Sequence, residues 1–152
     1  MAERVLFLDI DGVLNRTGYR PEVSLGLRSW VEPDLARRAN EVLQATGAVV
    51  VLSSDWRRGR DLAHLQGELA AAGLPCRLVG TTPVLGRERW REIEAWLTAH
   101  AVPASSVAIV DDGYDMGPLA ARFVRVSPLT GFDDDAAARI RTLLAVQAPV
   151  GA

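Results

Sequence analysis

The chain contains no lysine, so all 17 of its basic residues are arginines. Any cation at a binding or catalytic site must therefore be a guanidinium, whose planar fork binds phosphate and carboxylate oxygens in pairs. A single cysteine, Cys76, excludes an internal disulfide and is typical of a reducing compartment. No apolar run reaches the roughly 18 residues that a membrane-spanning helix needs. An apolar strand begins within the first few residues, so we expect no signal peptide and a cytoplasmic location.

The charge of the chain is nearly balanced, with 19 acidic residues against the arginines and a net charge of −2. This balance gives no overall attraction to nucleic acid, although it permits a local basic surface. Hydrophobic residues make up 49% of the 152 residues, which is enough to bury a sizeable core. We expect residues 1–152 to form a single domain.

Short apolar runs alternate with helical patterns along the whole chain. The strand candidates are 4–9, 48–53, 76–80, 106–110 and 123–126. The helix candidates are 33–46, 59–72, 88–100, about 115–121, and 133–147. This alternation predicts a three-layer α/β fold of Rossmann-like type, with a mainly parallel sheet and helices on both faces.

One long irregular stretch, residues 13–32, separates the first strand from the first helix. A long loop beside a strand end is often a flap or a minimal cap that contacts substrate. The alternative is a surface excursion that Trp30 packs against the protein. The sequence leaves both interpretations open.

Two aspartates, Asp9 and Asp11, follow the first predicted strand directly and precede Gly12. In an open α/β sheet, ligands bind in the crevice outside the carboxyl ends of the strands. Two acids placed at that edge repel each other, and stability alone does not explain them. A divalent cation, or a nucleophile paired with a proton donor, does explain them.

Polar side chains also follow two other predicted strands, and arginines open a later helix. These residues are Ser53, Asp111, Asp112, Arg87, Arg89 and Arg91. A cluster of carboxylate oxygens favours Mg²⁺ over zinc. A carboxylate can attack phosphorus, and a second acid can protonate the leaving oxygen. A hydroxyl and a cation can bind the remaining phosphate oxygens, so the set is suited to phosphoryl transfer.

The segment Asp9-Ile10-Asp11-Gly12-Val13 and the later groups resemble, in order and spacing, the four motifs of the haloacid dehalogenase (HAD) superfamily. The resemblance implies that Asp9 is the nucleophile. Asp11 would be the general acid and base, and its backbone carbonyl would bind Mg²⁺. An aspartate at position 11 also implies hydrolysis of phosphate esters, because the dehalogenases and P-type ATPases of the superfamily lack it.

The same resemblance assigns the other roles. Ser53 would bind the phosphoryl group, and Asp112 would be the direct metal ligand from the second strand, with Asp111 supporting it. Most members of the superfamily use a lysine as the third motif, which this chain lacks. Arg89 is our first choice for its replacement, with Arg87 and Arg91 as alternatives.

About 33 residues separate Ser53 from Arg87, too few for a large cap domain. The chain thus resembles the capless members, whose open sites tend to act on macromolecular phosphates. The segment from Val51 to Arg57 and the later Arg89 to Leu97 also resemble HAD domains found with RNA repair enzymes. This implies a phosphatase for polynucleotide ends, with a nucleotide or sugar phosphate as the alternative substrate.

Four residues near the predicted strand ends are candidates for substrate binding: Gly12, Asn15, Ser54 and Arg57. We expect Trp56 to pack in the core and Arg60 to be solvated. A phosphoacceptor signalling module is a rival interpretation, but its lysine is missing and a second acidic pair recurs here. A non-catalytic binding module is less favoured because every predicted catalytic residue type is present. The sequence does not indicate an oligomeric state.

Overall fold

The computed structural model describes residues 3–113 and 115–145. Five strands form an all-parallel sheet in the order β3-β2-β1-β4-β5. The strands are β1 (Val5–Leu8), β2 (Val49–Leu52), β3 (Leu78–Thr81), β4 (Val107–Asp111) and β5 (Phe123–Arg125). All five predicted strands are present, and their ends differ from the predictions by no more than two residues.

Four α-helices connect and flank these strands. They are α1 (Pro33–Thr46), α2 (Leu62–Ala71), α3 (Arg89–His100) and α4 (Asp134–Leu144). Helix α1 has the predicted bounds, because Pro33 opens it and Gly47 closes it with a φ of 70°.

Three predicted helices differ from the structure by more than one residue or in type. Helix α2 begins at Leu62 and not at residue 59, because Gly59 has a φ of 69° and the Asp61 side chain caps the helix. The predicted helix at about 115–121 is instead a 3₁₀ helix over Gly117–Arg122. The last helix was predicted to run to residue 147, but it ends at Leu144 because Ala145 has extended backbone, with φ −60° and ψ 142°. Residues 146–147 lie outside the described residues.

Both faces of the sheet are covered by apolar side chains. Leu6 and Leu8 of β1 point into a core closed by α1, α2 and α4. Val5 and Phe7 point the other way, into a second core against α3, where the Trp96 ring meets Phe7 edge-on at 5.4 Å. The predicted α/β fold with helices on both faces is confirmed.

The connections at the carboxyl edge of the sheet are short, apart from residues 9–32 between β1 and α1. No large cap domain is inserted among the residues described above. Within the same ranges, no helix is long and apolar enough to cross a membrane.

The long connection is firmly held at its base. Its first residues form a turn closed by a hydrogen bond from the Leu14 N–H to the Ile10 carbonyl. At the other end of the connection, the Glu32 N–H donates to the Leu14 carbonyl. A 3₁₀ helix over Leu27–Trp30 then places Leu27 in the core. The tip of the loop, around Val23 and Leu25, is exposed. The loop therefore combines a packed base with a solvent-facing tip.

Candidate active site

Three aspartates meet at the carboxyl ends of β1 and β4, and we call them the acidic cluster: Asp9, Asp111 and Asp112. Each offers one carboxylate oxygen, and these oxygens all lie within 4.8 Å of one another. The parallel pairing of Leu8 with Val110 brings the two strand ends side by side. Asp9 and Asp111 are only 6% and 4% exposed.

Backbone donors fix one oxygen of each buried carboxylate in the acidic cluster. The Ile10 N–H donates to Asp9 Oδ1 at 2.9 Å, and the Gly113 N–H donates to Asp111 Oδ1 at 2.8 Å. Asp111 Oδ2, by contrast, is buried and has no hydrogen-bond partner among the described residues. One oxygen is thus used for orientation, and the other stays available for a ligand.

Gly12 makes room for the acidic cluster. Its φ is 81°, and a Cβ at this position would overlap Asp112 Oδ2 and approach Asp112 Cγ to 2.8 Å. Only glycine accepts both this backbone conformation and this contact. The structure therefore places the predicted substrate-binding Gly12 directly against the Asp112 carboxylate.

Arg89 is the arginine that the fold brings to the acidic cluster. It is the first residue of α3, its Nε lies 3.8 Å from Asp111 Oδ2, and its Nη1 is buried without a partner in the described part of the chain. Arg91 instead pairs with Glu88 at 2.8 Å, and Arg87 is exposed. Of the three candidates, Arg89 therefore has the position of the predicted phosphate-binding cation.

Ser53 follows β2 and is fully buried, with its N–H donating to the Leu8 carbonyl at 2.9 Å. Its hydroxyl oxygen has no hydrogen-bond partner among the residues described. Buried polar groups are almost always paired, so each exception calls for an explanation. Ser53 Oγ, Arg89 Nη1 and Asp111 Oδ2 are three such exceptions among residues predicted for one site. The fourth is the hydroxyl of Thr82, which follows β3 and was not predicted.

The electrostatics of the acidic cluster also favour a bound cation. Burial, reinforced by the neighbouring Asp111 charge, raises the pKa of Asp9 to about 8, while Arg89 opposes the shift. Burial likewise raises the pKa of Asp111. Like charges crowded out of water resist ionisation unless a counter-charge is supplied. The three carboxylates, one of which carries the unpartnered Asp111 Oδ2, are a donor set that fits a hard divalent cation such as Mg²⁺.

The carboxylate of Asp11 is separate from the acidic cluster. Its Oδ1 accepts a hydrogen bond from Asn15 Nδ2 at 2.9 Å and a second from Trp56 Nε1 at 3.3 Å. Asn15 Nδ2 also donates to the Trp30 carbonyl at 2.8 Å. Asn15 was predicted to bind substrate, but in the structure its side chain holds Asp11.

Two other predicted substrate-binding residues are used inside the protein. Ser54 is buried, and its hydroxyl accepts a hydrogen bond from the Trp56 N–H, which caps a 3₁₀ helix over Asp55–Arg57. Arg57 is only 5% exposed, and its guanidinium donates to the Thr82 carbonyl at 2.9 Å and to Glu92 Oε1 at 2.9 Å. Arg57 therefore braces the loop after β2 against α3, and its contact with substrate stays a prediction. No local sequence pattern indicates the pairing with Glu92, because Glu92 lies 35 positions along the chain from Arg57.

Trp56 is half-buried and packs against the core, as expected. Its indole N–H reaches Asp11, and no local pattern predicts this contact because Asp11 lies 45 positions away in the chain. The Arg60 guanidinium stacks 5.0 Å from the centre of the Trp56 ring. Trp56 therefore contacts the core and, through its indole N–H, the Asp11 carboxylate at the edge of the site.

Residues 5–137 match the family described as the HAD domain in Swiss Army Knife RNA repair proteins. The chain belongs to this family. The match confirms the resemblance to the HAD superfamily and to its domains associated with RNA repair. No curated protein matches the chain.

Proposed function

We propose that the protein is a Mg²⁺-dependent phosphomonoesterase that works through an aspartyl-phosphate on Asp9 and acts on the phosphate ends of polynucleotides. One observation carries the proposal most directly. The buried atoms Ser53 Oγ, Arg89 Nη1 and Asp111 Oδ2 come from three different elements, and all lack partners within the described ranges. A hydroxyl, a guanidinium and a carboxylate together match the needs of a phosphate and its counter-ion.

In the first step, an Asp9 carboxylate oxygen attacks phosphorus and the ester P–O bond breaks. Asp11 gives its proton to the departing oxygen, so the product leaves as an alcohol. Ser53 and Arg89 bind the phosphoryl oxygens that do not react. The alcohol then leaves the open edge of the sheet.

In the second step, Asp11 removes a proton from water, whose oxygen attacks the phosphorus of the aspartyl-phosphate. The bond to Asp9 breaks, inorganic phosphate is released, and Asp11 is protonated again. Asp9, Asp111 and Asp112 would hold Mg²⁺, which supplies charge neutralisation for the phosphate and for the nucleophile.

The substrate class follows from the open site and from the family. The described chain has no cap domain over the carboxyl edge, so a large substrate can reach Asp9. The family is named for HAD domains in RNA repair proteins. The terminal phosphate of a polynucleotide is a chemically suitable target for such a domain. These two observations support a polynucleotide end over a small phosphate ester.

The proposal is tested by hydrolysis of p-nitrophenyl phosphate with Mg²⁺ and with EDTA. We expect Asp9→Asn to lower kcat by at least about 10³-fold, because phosphate monoesters are among the slowest esters to hydrolyse without a catalyst. Asp135→Asn, the same change on an exposed residue of α4, is the matched control and should keep full activity. Activity that survives EDTA or Asp9→Asn would refute the mechanism.

The substrate class needs a separate comparison of kcat/KM. We expect oligonucleotides with a 3′- or 5′-phosphate to be preferred over mononucleotides and sugar phosphates. Turnover of small sugar phosphates alone would overturn the polynucleotide assignment and leave the mechanism in place.

A further inference from the structure

Two side-chain donors converge on a single oxygen of Asp11, namely Asn15 Nδ2 and Trp56 Nε1. We infer that Asn15 and Trp56 are positioning residues that fix the Asp11 carboxylate through Oδ1 and leave its Oδ2 free to face the leaving group. The inference rests on the proposed function, because it assumes that Asp11 exchanges protons with the leaving group and with water.

Asn15 is a rigid donor because both ends of its amide are engaged. Its Oδ1 accepts from the Gly12 N–H at 3.0 Å, and its Nδ2 donates to the Trp30 carbonyl at 2.8 Å. These contacts define which end of the amide is nitrogen. Asn15 is also buried, so the orientation of the N–H that reaches Asp11 is fixed by the protein.

The two residues that flank Trp56 closely in the chain, Ser54 and Arg57, fix its backbone. Ser54 precedes it and bonds its backbone N–H at 3.2 Å, while Arg57 follows it and is anchored to Glu92 on α3. The face of its ring is covered by Arg60, and part of the ring packs on the core. The indole N–H is therefore presented to Asp11 from a fixed backbone.

The two hydrogen bonds leave one oxygen of Asp11 free. An indole N–H and an amide N–H₂ donate hydrogen bonds and do not accept them. Asp11 Oδ1 accepts from both, and among the described residues Oδ2 receives no such donor. Oδ2 is consequently the oxygen that can face the leaving group and water.

The test uses two substrates that differ in how much protonation the leaving group needs. p-Nitrophenolate departs with little help, whereas phenolate from phenyl phosphate depends more on a proton donor. The ratio kcat/KM covers binding and the step in which the leaving group departs. For Trp56→Phe, which removes the N–H and keeps most of the ring, we expect about a tenfold loss on phenyl phosphate. On p-nitrophenyl phosphate we expect less than about a twofold loss.

Trp90→Phe is the matched control. It removes an indole N–H from another half-buried tryptophan, which packs in the second core and not on Asp11. Trp90→Phe should change kcat/KM by the same factor on both substrates. Asn15→Ala is a second test variant and should show the same selective loss on phenyl phosphate, even if Trp56→Phe folds poorly.

Asp11→Asn separates failure of the inference from failure of the proposed function. If Asp11→Asn loses no more activity on phenyl phosphate than on p-nitrophenyl phosphate, Asp11 is not the acid and the mechanism itself is wrong. If Asp11→Asn is selective but Trp56→Phe and Asn15→Ala slow both substrates equally, only the positioning role is overturned.

Discussion

The carboxylates at the open edge of the sheet fall into two groups with opposite environments. In the acidic cluster, Asp9 and Asp111 are buried together, and the pKa of Asp9 is raised to about 8. Around the cluster, other buried or half-buried acids have close arginine partners at 2.9 Å, and we call these the rim pairs. They are Arg57–Glu92, Arg28–Glu68 and Arg16–Glu32.

The rim pairs brace the loops that surround the acidic cluster. Arg57 and Glu92 join the loop after β2 to α3, and Arg28 and Glu68 join the loop over residues 13–32 to α2. The hydrogen bond from Arg28 lowers the pKa of Glu68 to about 2. A carboxylate hydrogen-bonded to an arginine stabilises the fold. Asp111 Oδ2 lies 3.8 Å from Arg89 Nε and has no hydrogen bond among the described residues, so it can still bind a cation.

Breaking the most buried rim pair should give the largest change in stability. We expect Glu92→Leu to lower the free energy of unfolding by about 3–5 kcal/mol, because it leaves the Arg57 charge buried without its counter-charge. The double variant Arg57→Met with Glu92→Leu should recover much of that loss. Urea denaturation measures both. A single variant as stable as the wild type would show that the pair does not brace the site.

Removing the arginine of the acidic cluster should affect catalysis and not the fold. We expect Arg89→Met to lower kcat by about 10²–10³-fold, because a charged donor to the phosphoryl group is lost. Arg89→Lys should recover part of the rate, since the charge returns without the planar fork. The control Arg91→Met removes a guanidinium that is 45% exposed and should stay within about twofold of the wild type. Equal losses in the two methionine variants would contradict the choice of Arg89.

The two groups should respond to pH in opposite directions, with smaller effects. Without metal, folded Asp9 keeps a proton that the unfolded chain has lost, so its contribution to stability falls as the pH rises from about 4 to about 8. The lowered pKa of Glu68 stabilises the protein above about pH 4.5, and this contribution is lost as the pH falls towards 2. In EDTA, the melting temperature should therefore be highest at about pH 4, between the unfolded pKa values of Asp9 and Glu68.

Mg²⁺ should restore the stability that is lost at high pH and should leave the loss at low pH unchanged. A ligand that binds the folded state at 100 times its Kd adds about 2.7 kcal/mol to stability. Asp9→Asn should reduce the fall above about pH 5 in EDTA, to which Asp111 also contributes because its pKa is raised. Glu68→Gln should reduce the fall below about pH 4. Melting curves with and without Mg²⁺ that run parallel at every pH would contradict this division of the carboxylates.

The sequence predicts the sheet and the acidic cluster because both follow from local patterns. Apolar runs define the strands, and an acid directly after a buried parallel strand can only lie at the ligand-binding edge. Arg89 is predictable for a similar reason, since it opens a helix that begins at the same edge. The roles of Arg57 and Trp56 are not predictable in this way. Their partners Glu92 and Asp11 are distant in the chain, and a short turn after β2 decides which side chain points inward.

The central position of β1 has a consequence for local opening of the protein. Its backbone is hydrogen-bonded to strands on both sides, β2 and β4, and neither of its edges meets solvent. Amide hydrogens of such a strand exchange with solvent only when the whole domain opens. Amides at the tip of the 13–32 loop lack this protection. In hydrogen–deuterium exchange, the strand that leads into Asp9 should therefore be the slowest segment, so the proposed nucleophile would keep its place while amides at the tip of the loop exchange.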